Sequence, residues 1–400
     1  MNPPYRHFHR LAWVAVALAF CVIVFGGFVR LSNAGLSCPD WPTCYGQAAW
    51  PTQVHEIVTA NANYERVVEV SKAWREQLHR HLAAGLGVLV LLLSLLAARR
   101  RSFGAGSILL ASTLVALSIL FYTGLNLQKP FEFVLASDHN ISVMLVLAGE
   151  LILLLQIIRW SNSDAARLST TILMVIIFQA MLGMWTVIWL VKPIIVMLHL
   201  LGGLLTFSLL TWLAWSSTPD QQLVQGVAPK LRVLLWIGLA LLIIQIALGG
   251  WTSANYAALA CGNDFPTCQG QWWPEHDFKE AFVLWRGIGV DYEGGVLDGA
   301  ARVAIQLTHR MMAIIVFGHL LFVSIRMIMT HGLRYWGFVL AILLFAQVAL
   351  GISNVTMNLP LWTAVAHNAG AAALLFVIVG LLARLRAPDE CAVRSLIILN

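Results

Sequence analysis

The stretch EQLHRHLAAGLGVLVLLLSLLAA (76–98) decides how the chain is read. After a polar approach ending in His79-Arg80 it continues as a nearly unbroken aliphatic run. A bilayer-crossing helix needs about 20 mostly apolar residues. A spanning segment must also satisfy its own backbone hydrogen bonds, which a run of this length does as a helix and not as a barrel strand. The pattern recurs in QLTHRMMAIIVFGHLLFVSIRMI (306–328), where His309-Arg310 again stands at the head of an apolar run. An imidazole in lipid is costly without a partner, so two at matching places ask for a common reason.

Working outward, the chain offers ten such runs, approximately 11–30, 79–98, 106–127, 141–160, 169–190, 194–214, 232–253, 304–328, 335–355 and 361–384. With 59% hydrophobic and 11% charged residues over 400 positions, a soluble domain is excluded. The expected fold class is an all-α integral membrane protein. The first run has a basic front (Arg6, Arg10) like a signal peptide, yet it is long, has no small-x-small cleavage site and has a counterpart later, so it is expected to be kept. Arg6, Arg10, Arg99 to Arg101, Arg159, Arg167, Lys230, Arg232, Arg326, Arg334, Arg384, Arg386 and Arg394 all fall on one side of ten spans. That side is expected to be cytoplasmic, with both termini; the membrane is expected to be a bacterial inner one, since no Arg/Ser-rich transit segment is visible, with an organellar membrane as the alternative. The loops 31–78 and 254–303 then face outward. The net charge of +6 follows from this bias, and no basic stripe with interleaved aromatics suggests nucleic acid.

The chain repeats itself. Gly26-Gly27 through Leu36-Ser37-Cys38 aligns without a gap on Gly249-Gly250 through Leu259-Ala260-Cys261. Both copies continue through Pro-Thr-Cys (42–44, 266–268), Gly-Gln (46–47, 270–271) and Trp-Pro (50–51, 273–274) to His79-Arg80 and His309-Arg310. A second element sets Gln179, Leu182-Gly183 and His199 against Gln347, Leu350-Gly351 and His367 at identical spacing. One distance disagrees: 120 residues separate His79 from His199, but 58 separate His309 from His367. The excess of 62 is the length of two spans with their loops, so 105–165 reads as an inserted transmembrane hairpin. The expected architecture is two pseudo-symmetric four-helix bundles, 1–104 with 166–218 and 219–400, plus that hairpin.

Bundles of this kind hold cofactors between facing helices. His79, His199, His309 and His367 each lie within about 10 Å of the outer end of a span at 1.5 Å per residue. Equal depth on two helices per half suits two axial imidazoles on opposite faces of a haem. Small residues that make room follow three of them: Ala83, Ala84 and Gly85; Gly202 and Gly203; Ala369 and Gly370. Arg80 and Arg310 are candidates for pairing with haem propionates. The alternative is that the histidines only bond between helices.

Glu76 stands three residues before His79, on the same helical face, whereas Gln306 stands before His309. A carboxylate beside one site and an amide beside the other suggests chemistry in the N-terminal half and cofactor duty in the C-terminal half. Cys38 and Cys44, and Cys261 and Cys268, are spaced to close short disulfide loops on the oxidising side. Each pair is either a structural staple or redox-active. Cys21 and Cys391 are expected to be inert thiols.

Together these residues resemble the haem A synthase family. The resemblance rests on Arg30 to Cys44, Glu76-x-x-His79-Arg80, Leu182 to Val187, Lys192-Pro193 with His199, Cys261 to Pro274, Thr308-His309-Arg310 and His367 to Gly370. It covers nearly the whole chain except 105–165, which is read as a departure from the family. It implies haem b as cofactor on His309 and His367, and haem O as substrate on His79 and His199. The resemblance further implies that the C8 methyl of haem O is oxidised through an alcohol to a formyl group, with oxygen from water. Glu76 matches the family's essential acid, and Cys38 and Cys44 its outer redox pair. Candidate partners are a haem O synthase, an electron acceptor, membrane lipids and a second copy of the chain. The rival readings are a bis-histidine b-type electron carrier, a non-enzymatic haem transporter and a thiol-disulfide oxidoreductase.

Overall fold

The computed structural model describes residues 7–128, 136–161, 165–218 and 229–385. Arg6, Arg386, Arg394 and Cys391 lie outside these. The described residues form α1 (Phe8–Leu31), α2 (Val54–Asn63), α3 (Val70–Ala98), α4 (Gly104–Gln128), α5 (Ala136–Arg159), α6 (Ala165–Ile188), α7 (Pro193–Ser217), α8 (Pro229–Ala254), α9 (Phe278–Ala281), α10 (Gly299–Ile328), α11 (Arg334–Thr356) and α12 (Leu361–Arg384). Ten of them are long and apolar enough to cross a membrane, and α2 and α9 are short helices in the long loops. The protein is an all-α, multi-pass membrane protein.

Two spans start well before their apolar runs. α3 begins at Val70 and α10 at Gly299. Hydropathy overlooks these first turns because they carry Lys72, Arg75, Glu76 and Gln77, or Arg302 and Gln306. Such straight-chain residues nevertheless have good helix propensity. Asp298 caps α10 by accepting from Ala301 N at 2.8 Å. The polar approach and the span are therefore one rigid rod, which carries Glu76 and Gln306 one turn before their histidines.

The chain divides into two compact units, Met1–Val191 and Lys192–Asn400. In the first, α3 packs on α1, α4 and α6, α4 on α5, and α5 on α6. The hairpin α4–α5 is thus built into a closed ring with α3 and α6. A Cβ at Gly149 would stand 2.9 Å from the Ala111 carbonyl, so the two hairpin backbones approach closely. Ser118 and Ser142 hydroxyls meet at 2.9 Å, and Gln156 Nε2 donates to Ser107 Oγ at 3.0 Å. Small residues and interhelical hydrogen bonds are what hold helices together in lipid, where apolar burial gives little drive.

In the second unit α8, α10, α11 and α12 close a ring, in which α10 and α12 each pack on both α8 and α11. α7 lies against α8 and α12. With three neighbours, α12 is the most enclosed span: 56% of its apolar window is buried, against 17% for α11.

Candidate functional site

The two cysteine loops are copies in backbone as well as in sequence. Cys38 is bonded to Cys44 and Cys261 to Cys268. Cys21 is free and exposed. The carboxylate of Asp40 accepts from Tyr45 N at 2.6 Å and Gly46 N at 2.8 Å, and Asp264 accepts from Gly270 N. The chain turns through left-handed pairs, Tyr45 (φ 55°) with Gly46 (73°) and Gln269 (54°) with Gly270 (75°). Glycine meets the second conformation without the steric cost a side chain would bring.

An arginine clamps each loop. Arg80 Nη1 donates to the carbonyls of Asp40 (2.7 Å) and Thr43 (2.6 Å), and Nη2 to that of Cys38 (3.2 Å). Arg310 repeats this, Nη1 donating to Thr267 O (2.8 Å) and Nη2 to Asp264 O (2.9 Å). Irregular loops leave carbonyls without ladder partners, and a guanidinium offers several donors in a fixed fork. Sequence reasoning missed this task because the acceptors are backbone atoms.

The copies part company at Glu76. Its carboxylate is 4% exposed. Oε2 accepts from Cys38 N at 2.9 Å and lies 3.1 Å from Ser37 Oγ, while Oε1 pairs with Arg80 Nη2 at 2.5 Å. One side chain therefore ties the disulfide loop, the clamping arginine and the helix of His79 together. Gln306, equally buried, donates its amide to Ala258 O at 3.1 Å and leaves Oε1 buried without a hydrogen bond.

Three of the four expected histidines lie against a glycine of a neighbouring helix. A Cβ at Gly26 on α1 would stand 2.7 Å from His79 Cε1. At Gly249 on α8 it would stand 3.2 Å from His309 Cε1, and at Gly351 on α11 3.1 Å from His367 Cε1. Glycine is required because the imidazole occupies the side chain's space. The sequence offered Gly26, Gly249 and Gly351 only as markers of the repeat.

His309 and His367 stand on α10 and α12, opposite corners of the α8–α10–α11–α12 ring. His367 Nδ1 is 3.2 Å from the Gln347 carbonyl, and Gln347 Nε2 donates to His367 O at 3.0 Å. Gln245 Nε2 lies 3.2 Å from His309 Nδ1 and donates to His309 O at 3.3 Å. Buried polar atoms without hydrogen bonds gather on the same elements: Gln245 Oε1, Gln347 Oε1, Asn354 Oδ1, Gln306 Oε1 and Arg310 Nε. Buried polar groups in native proteins are normally satisfied, so this group fits a site that takes a polar-edged ligand. His79 belongs to the first unit, beside Glu76, Arg80 and the Cys38–Cys44 loop, while His199, half-buried on α7, belongs to the second. Lys192, just before α7, is 1% exposed, with Nζ 3.5 Å from the centre of the Trp285 ring, a cation–π contact the sequence did not suggest.

A family profile described as "cytochrome oxidase assembly protein" matches residues 9–121 and 141–379. A protein named "Heme A synthase" from Shewanella oneidensis is 37% identical over 380 residues, 92% of this chain and 95% of the relative. One of the same name from Wolbachia pipientis is 24% identical over 361 residues, 88% and 89% of the two chains. Another, from Methylobacterium radiotolerans, is 31% identical over 188 residues, 46% of this chain and 48% of its own. The profile enters the hairpin from both sides and, within it, leaves out 122–140. The segment outside the family's match is therefore narrower than the 105–165 read from the repeat.

Proposed function

The chain belongs to the COX15-CtaA family of cytochrome oxidase assembly proteins, and from that premise we propose how it works. It is a haem A synthase. Its reaction is the oxidation of the C8 methyl of haem O, through an alcohol, to a formyl group: water supplies the oxygen, and four electrons and four protons leave to an acceptor. His79 and His199 take the substrate haem, and His309 and His367 hold haem b. When bound, haem b supplies one-electron redox chemistry.

The residues that would hold haem b fit it. A ligating imidazole needs an acceptor for its second nitrogen, and His367 Nδ1 has the Gln347 carbonyl at 3.2 Å, which leaves Nε2 for iron. Both propionate candidates commit their η nitrogens to loop carbonyls, and Arg310 keeps in addition a buried Nε without a hydrogen bond.

The observation that carries the assignment of the chemistry is the contrast between Glu76 and Gln306. Only a carboxylate can accept a proton as carbon is oxidised. Cys38 N, Ser37 and Arg80 fix where its oxygens point, one turn from His79. In this reading the Cys38–Cys44 disulfide of the same cluster would accept two electrons and two protons, opening to a dithiol, and Cys261–Cys268 serves as a staple. The Lys/Arg-rich side, with both chain ends, is cytoplasmic, in a bacterial inner membrane. Haem O comes from a haem O synthase, and an electron acceptor completes the reaction.

Glu76→Gln tests this. Expressed with a haem O supply, the variant is expected to retain bound haem while conversion to haem A falls at least about 100-fold. Conversion at the wild-type rate removes Glu76 from the mechanism.

A further inference from the structure

Building on the assignment of His309 as a haem b ligand, we propose that Gln245 is a positioning residue: its side-chain amide turns to accept His309 Nδ1–H when Nε2 binds iron, and so sets the electron affinity of that haem.

An imidazole bound through Nε2 carries its proton on Nδ1 and needs an acceptor for it. His367 has the backbone carbonyl of Gln347. At His309 the group in reach is the Gln245 side chain, whose Nε2 lies 3.2 Å from Nδ1 and 3.4 Å from the other ring nitrogen. Its Oε1 meanwhile is buried without a hydrogen bond. The two ends of an amide are nearly alike in shape. Turning the amide end for end brings the unsatisfied oxygen to the ring, and it gives up the 3.3 Å bond that Nε2 makes to His309 O.

The placement recurs. Gln245 and Gly249 stand one turn apart on α8, so both lie on the face that meets His309. The glycine makes room for the ring, and the glutamine orients it. Gln347 and Gly351 have the same spacing on α11 against His367, as do Gln179 and Gly183 on α6. At the position before Gly26 stands Val22, whose side chain offers no acceptor. The two halves therefore differ on the histidine's far side as well as at Glu76.

Accepting Nδ1–H makes the imidazole a stronger donor to iron and favours the oxidised haem. Gln245→Met keeps the length and removes the acceptor. Gln245→Glu keeps the length and strengthens it. In a redox titration of the purified full chain, followed by the haem absorption bands, the methionine variant is expected to raise the midpoint potential and the glutamate variant to lower it. A carboxylate lowers the potential through its charge alone, so the upward shift of the methionine variant carries the test. Two potentials equal to wild type, or shifts of the same sign, overturn the proposal. Should the methionine variant fail to hold haem, Gln245→Leu replaces it, and no upward shift refutes the role. Full haem b content in His309→Ala overturns the ligand assignment itself, and the proposal with it.

Discussion

The loop and helix around Cys38, Arg80 and Glu76 and the copy around Cys261, Arg310 and Gln306 share a disulfide, an aspartate-fastened turn and an arginine that grips loop carbonyls. They differ in one buried group. In the first copy the arginine also pairs with a carboxylate, and that carboxylate is bound to the cysteine loop. In the second the arginine serves the loop alone, and the amide turns to another carbonyl. Duplication kept the scaffold, and the buried charge is what sets the first copy apart.

The sharpest way to separate the halves is to remove a histidine from each. His309→Ala is expected to deplete haem b from the purified protein. His79→Ala is expected to leave haem b in place and lose the substrate haem. Extracted pigment reads both, and equal loss of haem b from the two variants erases the distinction.

The arginines come next. Arg80→Ala strands Glu76 as a buried charge without its partner, a loss of about 3–5 kcal/mol. Arg310→Ala leaves only carbonyls unsatisfied, about 1–3 kcal/mol. Thermal unfolding in detergent should rank Arg80→Ala as the more damaging. The reverse order would mean that the ion pair with Glu76 contributes little.

The smallest expected effect lies at the glycine seats. An added methyl at Gly26 would stand 2.7 Å from His79 Cε1, and at Gly249 3.2 Å from His309 Cε1. Overpacking costs about 1–3 kcal/mol. Gly26→Ala belongs at the upper end of that range and Gly249→Ala at the lower, by the same unfolding measurement. Equal stability for the two would show that the His79 ring moves aside freely.

These differences also explain what the sequence could and could not tell. The ten spans were legible because a bilayer demands long apolar runs, and the cysteine pairs because two copies kept them. The starts of α3 and α10 were not, since polar turns that continue a helix carry no hydropathy signal. His309 and His367 could be paired from the repeat, but their seats could not. A glycine's use depends on what approaches it from another helix, and Gln245 is 64 residues from the ring it meets. The arginine clamps stayed hidden because carbonyls are the same under every sequence. By spacing the hairpin is an addition relative to the second half. In the fold it closes a ring with α3 and α6, and the family's match reaches into both of its helices.

The proposed division of labour, in which one half keeps a haem and the other transforms one, has a direct readout. Pigment extracted from the purified wild-type chain, produced with and without a supply of haem O, tests it most directly. The expected result is haem b in both preparations and haem A only where haem O was supplied. Haem b alone in both, in an amount that fills the two sites, would contradict it.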